Sequence, residues 1–308
     1  MRDAEGRWGH MLPESVSHPP TSAPRHPRMP FTIDPLRDAD VADAIALSTG
    51  EGWNQTEADW RRLLRLGPGG CFAARVERRL VGTVTTTIYE RALAWIGMMI
   101  VHPAARRQGI GAALMTRALE HLGAAGVSCV KLDATPAGQP LYRRLGFEVE
   151  ALFERWQGTA TPTPSADPAL DERAALDAIL PLDRAAFGAD RSRFLAELEH
   201  EALAAYVVRE SGSREAYALA REGRIATYLG PVVSTDGTLA ARLVDALLIR
   251  FSGRPVCIDV NATGLLDAAR LVAGGLAPRR PLMRMRRGGT AESGTPATLC
   301  ASAGPEYG

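Results

Sequence analysis

One turn carries most of the chemistry that the residue types of this chain allow. The run Val101-His102-Pro103-Ala104-Ala105-Arg106-Arg107-Gln108-Gly109-Ile110-Gly111-Ala112 leaves a strand-like segment, passes two arginines and opens a helix on two glycines. Glycine lets a ligand come close to the backbone. The N–H groups of a first helical turn have no intrahelical acceptor and sit at the positive end of the helix, so such a turn is an anion site. Arg106 and Arg107 add guanidinium donors that match phosphate oxygens. The bland alternative is a glycine-eased helix start with solvated arginines. His102, just before a proline, reads as structural or surface.

Three phosphate-binding readings compete for this turn. A Walker loop needs a lysine after its glycines, and none follows here. A dinucleotide turn needs G-x-G-x-x-G/A directly after its strand. Here Leu114 takes the third place, and Gly109 lies eight residues past Val101, although Asp133 falls about where that motif's acidic residue would stand. The third reading is a pyrophosphate loop for coenzyme A.

The residues that favour the third reading resemble a known family. Arg106-x-x-Gly109-x-Gly111, following Met99-Ile100-Val101-x-Pro103, resembles the acyl-CoA loop of the GNAT superfamily of N-acyltransferases. Downstream, Pro140-Leu141-Tyr142-Arg143-Arg144-Leu145-Gly146-Phe147 is similar to that family's Leu-Tyr…Gly-Phe element. The resemblance covers about residues 31–157. Gly52-Trp53-Asn54-Gln55, Leu132-Asp133-Ala134-Thr135 and Tyr228-Leu229-Gly230-Pro231 are similar to bacterial members with a second, degenerate copy of the fold. The resemblance implies acetyl-CoA as co-substrate. It implies that the main chain of Met99, Ile100 and Val101 pairs with the pantetheine arm. It implies that the backbone of Arg107, Gln108, Gly109, Ile110, Gly111 and Ala112, with Arg106 beside it, cradles the pyrophosphate. Tyr142 would re-protonate the departing thiolate, as a phenol with pKa near 10 can for a thiol near 8.5. Thr135 stands where the family usually has Asn, and Gly138 where Ala is common, so no side-chain contact to the coenzyme is carried over there.

The proton taken from an attacking amine needs a base. Leu93–Val101 holds no acidic residue, so the family's frequent choice on that strand fails. Asp133 at a strand end is the first candidate, with a turn-capping aspartate as its bland alternative; Glu51 and Glu90 are weaker. Trp53, Asn54 and Gln55 combine an aromatic ring with amides, which suits a small polar acceptor with an apolar part. Their alternative is a packed Trp with capping amides.

These residues need a mixed α/β sheet to position them. A strand near Phe31–Ile33 precedes helices over Asp40–Ser48 and from Thr56, whose spacing to Asp59 fits a capping box. Strands at Cys71–Val76, Leu80–Tyr89 and Leu93–Val101 lead to a helix from about Gln108 to Leu122. A strand at Cys129–Leu132, a helix carrying Tyr142 and a strand from Phe147 close this block. A second block repeats the order: strands at Ala205–Val208, Ala216–Ala220 and Ala226–Val233, a helix at Leu239–Phe251, a strand at Val256–Val260, a helix at Leu265–Ala273 and a strand at Leu282–Met285. Val130-Lys131-Leu132-Asp133 echoes Cys257-Ile258-Asp259, which favours a diverged tandem duplication over one mixed α/β chain. The second block has Asp236 where a phosphate would sit and Leu271 where the tyrosine would be, so acyl-CoA is not expected there. Asp259, Arg279, Arg280 and Arg284 stay available to shape an acceptor site or the interface, while Arg284–Arg287 reads as a solvated strand end.

Composition frames the rest. The 308 residues exceed one typical domain. The expected division is a disordered extension 1–28, a catalytic domain 29–157, a linker 158–168, a degenerate domain 169–287 and a loose tail 288–308. The formal net charge of +1 argues against nucleic acid, whose partners usually carry a basic excess. Cys71, Cys129, Cys257 and Cys300 are scattered, so neither a metal site nor a disulfide framework is expected, and no activated thiolate for a covalent route. No stretch approaches the ~18 apolar residues of a membrane span, and no secretory segment opens the chain. The expectation is a soluble cytoplasmic N-acetyltransferase acting on a small-molecule amine by direct attack, with a homodimer left open. The rival is a non-catalytic module that binds or senses acyl-CoA or another small ligand.

Overall fold

The computed structural model describes residues 30–162, 171–172, 176–210, 214–289 and 294–308. Local chemistry explains the first elements. β1 (Thr32–Pro35) precedes α1 (Val41–Gly50) and α2 (Glu57–Leu66). The Thr56 hydroxyl accepts the Asp59 N–H at 3.3 Å while the Asp59 carboxylate accepts the Thr56 N–H at 2.9 Å, so the capping box read from the sequence starts α2. β2 (Phe72–Val76), β3 (Arg79–Glu90) and β4 (Leu93–Val101) form an antiparallel meander. α3 (Ile110–Ala124), β5 (Cys129–Ala134), α4 (Gln139–Arg144) and β6 (Glu148–Thr159) complete the first half. α3 buries Ile110, Leu114, Ala118 and Leu122 against Phe72, Val84 and Ile96. Burying each of the larger ones, Ile110, Leu114 and Leu122, contributes roughly 1.5–3 kcal/mol.

The second half repeats the plan and adds two helices that the sequence reading left out. β7 (Asp171–Glu172) is followed by α5 (Leu180–Phe187), α6 (Ser192–His200), β8 (Ala204–Glu210), β9 (Arg214–Arg221) and β10 (Thr227–Ser234). α7 (Gly237–Arg250), β11 (Pro255–Asn261), α8 (Ala268–Ala273), β12 (Leu276–Gly288) and β13 (Leu299–Ala301) finish the chain. α7 packs Leu239, Leu243 and Leu247 on Ala216, Ala218 and Ala220, small residues that let the helix sit close to the sheet.

The halves are not two beads on a string. Among the described residues all thirteen strands belong to one sheet, in the order β1-β2-β3-β4-β5-β12-β6-β11-β13-β10-β9-β8-β7. β12 of the second half lies between β5 and β6 of the first, and β6 lies between β12 and β11. Phe31–Gly308 accordingly form one compact unit.

Two of the expected boundaries are corrected. Gly158 and Thr159 are strand, not linker: Gly158 pairs with both Val256 and Leu276. A Cβ on Gly158 would lie 2.0 Å from the Gly275 carbonyl oxygen, so its glycine marks close backbone approach rather than a flexible hinge. Residues 163–170, the rest of the expected linker, lie outside those described, as does the expected N-terminal extension 1–28. The tail is not loose where it is described. Gly288 ends β12, Leu299–Ala301 form β13, and Ala303 and Tyr307 are fully buried. The Tyr307 ring stacks on Phe194 at 4.7 Å, and its hydroxyl donates to the Asp59 carbonyl at 3.1 Å. Such isolated apolar residues between glycines and prolines have no period, so the sequence reading found no element there.

Candidate active site

β4 and β5 run parallel and pair only at Leu93, Ala94 and Trp95, opposite Cys129, Val130 and Lys131. Beyond Trp95 they part. Met98 has φ 47°, and the ladder to β3 slips between Thr83 and Thr85. The Thr83 hydroxyl donates to the Met98 carbonyl at 2.7 Å and holds this bulge. A non-glycine residue at positive φ is strained, and here it bends β4 out of the ladder. The edge carrying Met99, Ile100 and Val101 therefore borders an open V.

The phosphate turn stands at the mouth of that V. Gly109 caps α3 with φ 87°, a conformation that favours glycine, and the space where its Cβ would be is open. The first-turn N–H groups of α3 have no intrahelical acceptor. A cavity of about 1010 Å³ here is lined by Met99, Ile100, Val101, Arg106, Arg107, Ile110 and Gly111. Gln108, Gly109 and Ala112 are in the same turn but outside that lining. Arg106 is exposed, donates to the Val101 carbonyl at 2.9 Å and is ion-paired with Glu51. The His102 ring nitrogen accepts the Ala104 N–H at 3.3 Å, and the residue is exposed.

A second cavity, of about 540 Å³, continues inward and shares Trp53, Met99, Thr135 and Tyr142 with the first. Tyr142 on α4 is buried, and burial raises its phenol well above the ordinary value of 10. Its hydroxyl has no hydrogen-bond partner among the described residues. Gly138 makes room for it, since a Cβ there would come within 2.9 Å of the ring. Asp133 also lines this cavity, but Arg284 clamps both its oxygens at 2.9 Å. Burial raises the Asp133 carboxyl while Arg284 opposes the rise. Arg284 is thus no solvated strand end: it is buried, 4.1 Å from the Phe153 ring centre and 4.7 Å from that of Trp95.

The tail supplies the remaining wall. Pro305 and Glu306 line the inner cavity, and a Cβ on Gly97 would lie 2.9 Å from the Glu306 backbone. Trp95 donates its indole N–H to the Pro305 carbonyl at 2.9 Å. The Glu306 carboxylate accepts from Gln55 at 2.8 Å and from Arg221 at 2.6 Å. Burial raises its pKa. The sequence reading missed Glu306 because no pattern marks it. Of the expected acceptor wall, Trp53 and Gln55 are at the cavity and Asn54 is not. The Asn54 side chain instead donates to the Ala226 carbonyl at 2.9 Å and accepts from the Ile225 N–H at 2.8 Å, tying the halves together. The weaker base candidates fall outside the inner cavity: Glu51 pairs with Arg106, and Glu90 with Arg184.

A split sheet with a helix at its mouth, twice in one chain and glycine-capped in the first half, is the plan of one acyltransferase class. The profile of the acetyltransferase (GNAT) family matches residues 38–147, and that of a GNAT acetyltransferase domain matches residues 179–299. The chain belongs to the GNAT family and carries two of its domains in tandem. Members of this family transfer acyl groups and generally draw them from acyl-CoA. No curated protein sequence matches the chain. Among solved structures, it is similar to a candidate acetyltransferase from Pyrococcus horikoshii, with TM-score 0.77, 22% identity, and 94% of this chain and 100% of that one covered. A GCN5-related N-acetyltransferase from Sphaerobacter thermophilus gives 0.60 at 17% identity, with 84% and 95% covered. A tandem GNAT protein from the clavulanic acid biosynthesis pathway gives 0.60 at 17%, with 84% and 98% covered. At these identities the likeness is one of fold. No helix among the described residues is long and apolar enough to cross a membrane.

The first half fits a coenzyme A arm on its own geometry. It offers a free strand edge, a turn with open space at Gly109 and a phenol at the inner end.

Proposed function

We propose that the first half transfers an acetyl group from acetyl-CoA to the amine of a small molecule by direct attack. The observation that carries this reading is the open V between β4 and β5, which joins the phosphate turn to a cavity holding Tyr142, Asp133 and Glu306. The bound coenzyme supplies the activated thioester. The backbone from Arg107 to Ala112, with Arg106, holds the pyrophosphate. The strand edge at Met99, Ile100 and Val101 pairs with the arm and aims an N–H at the thioester oxygen. A donor fixed where negative charge develops is worth about 2.7–4 kcal/mol of barrier. The amine nitrogen bonds to the acyl carbon, the carbon–sulfur bond breaks, and Tyr142 gives its proton to the departing thiolate. Asp133, oriented by Arg284, takes the proton of the attacking amine, and Glu306 is the second carboxylate in reach of that cavity. A covalent cysteine route is disfavoured: all four thiols are buried, and burial pushes Cys71 up to about 12 and Cys257 up to about 11.

Calorimetry with acetyl-CoA, followed by thiol release across an amine panel, tests this. Micromolar binding with amine-dependent release is expected, and no heat would sink it. Binding without release from any amine would leave a sensing module instead. Tyr142→Phe should lower turnover about 100-fold with coenzyme affinity kept; unchanged turnover removes Tyr142 from the mechanism.

A further inference from the structure

The charges around the inner cavity are paired with a single exception. Asp133 is clamped by Arg284, Glu306 is held by Arg221 and Gln55, and Asp259 takes Arg155 in two bonds of 2.6 Å. Arg280 also lines the cavity, and among the described residues it has neither a hydrogen-bond nor an ion-pair partner. Its Nε is buried without a partner. It reaches this place by the strand exchange: it lies on β12 of the second half, opposite Arg155 of β6, beside a slip in register after Pro278. Pro281 follows it, and Leu282 lines the same cavity. Arg280 is half-buried, and a buried N–H left without a partner costs free energy unless a ligand completes it.

We propose that Arg280 selects the acceptor, and that the acceptor is a small amine bearing a carboxylate. This rests on the acetyl-transfer reading above and narrows its substrate class. A simple alkylamine finds no unpaired carboxylate in the cavity, since Asp133 and Glu306 already carry arginines. An amino acid or similar zwitterion meets one unpaired cation and has a planar anion to offer it. The fork of Arg280 matches a carboxylate with two parallel hydrogen bonds. Trp53 and Leu282 give such a molecule apolar walls, and Tyr142 and Asp133 line the same cavity for its amine end. Burial, together with the neighbouring Arg155, pushes the Arg280 guanidinium's pKa down, as expected for a cation lacking its counter-ion.

The test compares matched acceptors on the full chain: amino acids, their carboxamides and the amines left when the carboxyl group is removed. Thiol release gives kcat and KM, a thermal shift in the presence of coenzyme A gives binding, and calorimetry gives acetyl-CoA affinity. The wild type should favour carboxylate members about 10-fold or more over their partners. Arg280→Gln, which removes no hydrogen bond or ion pair among the described residues, should raise KM for carboxylate members by about 10–100-fold and erase the preference, with kcat and acetyl-CoA affinity nearly unchanged. Arg280→Lys should recover part of it, because charge returns without the fork. A wild type without the preference, an Arg280→Gln that weakens all acceptors alike, or neither turnover nor thermal shift from any carboxylate member overturns the proposal. Absence of acetyl-CoA binding is a different failure and strikes the acetyl-transfer reading itself.

Discussion

The same V opens twice in this chain, and only one of the two stays open. In the first half β4 and β5 part after Trp95, and no strand among the described residues fills the gap beyond it. In the second, β10 and β11 pair at Thr227 and Tyr228 with Val256 and Cys257, then part, and β13 fills the gap. Val232 and Val260 both pair with Ala301 of that strand. The helix mouths differ in the same sense. α3 opens on Gly109, which has no side chain, whereas α7 opens on Asp236, whose carboxylate accepts the Thr238 and Leu239 N–H groups at 2.9 and 3.1 Å. Arg214 pairs with that carboxylate at 2.8 Å. At the inner end Tyr142 is matched by the fully buried Leu271. A fold that leaves backbone donors bare must satisfy them with something. The second half does so with the Asp236 side chain, whereas no side chain among the described residues caps α3.

The sharpest way to break this comparison is to remove what fills the second V. Tyr307→Ala takes out the ring that anchors the tail beyond β13, and should cost about 3–5 kcal/mol in denaturant unfolding, as large buried aromatics do. A loss under about 1 kcal/mol, the size of one ordinary hydrogen bond, would mean that the tail is not part of the core. Next in size is a graft. Gly109→Asp puts the second half's plug into the first and should weaken acetyl-CoA about 100-fold by calorimetry, since a carboxylate would sit where phosphate is expected. Retained affinity would show the coenzyme lies elsewhere.

Alkaline stability comes third. Burial raises the phenols of Tyr89, Tyr142, Tyr217, Tyr228 and Tyr307 above the ordinary value. The folded chain then keeps protons that the unfolded chain releases, so stability is full below about pH 10 and declines above it. Melting between pH 8 and 11 on that scale follows the decline. Tyr228 accepts its place by donating to Asp259 at 3.0 Å, whereas Tyr142 faces the cavity alone. Tyr142→Phe should therefore leave neutral-pH stability nearly intact while Tyr228→Phe lowers it, and equal losses would deny the difference between sealed and open ends. The smallest effect is expected from Asp236→Ala. Losing a helix cap should lower the melting point slightly and leave acetyl-CoA affinity alone. A fall in that affinity would give the second half a binding role.

Much of this was legible in the residues, because it depends on neighbours along the chain. The capping box at Thr56 and Asp59, the apolar spacing of α3 and the glycines of the phosphate turn are local features. They place the first half's elements and the turn proposed to hold the pyrophosphate. Asp236 and Leu271 likewise indicate, without coordinates, that the second half had lost its loop and its phenol. Tertiary structure alone decided which side chains meet. β12 slips between β5 and β6, and this brings Arg284 to Asp133 and Arg280 to the cavity from about 150 residues away. The segment around Glu306 lacks any period, so its burial against Gly97 and Gln55 follows from the tertiary structure alone. Period and capping record a residue's own turn or strand. Strand exchange and the plugging of a cleft satisfy hydrogen bonds between distant backbones, and no local pattern encodes those.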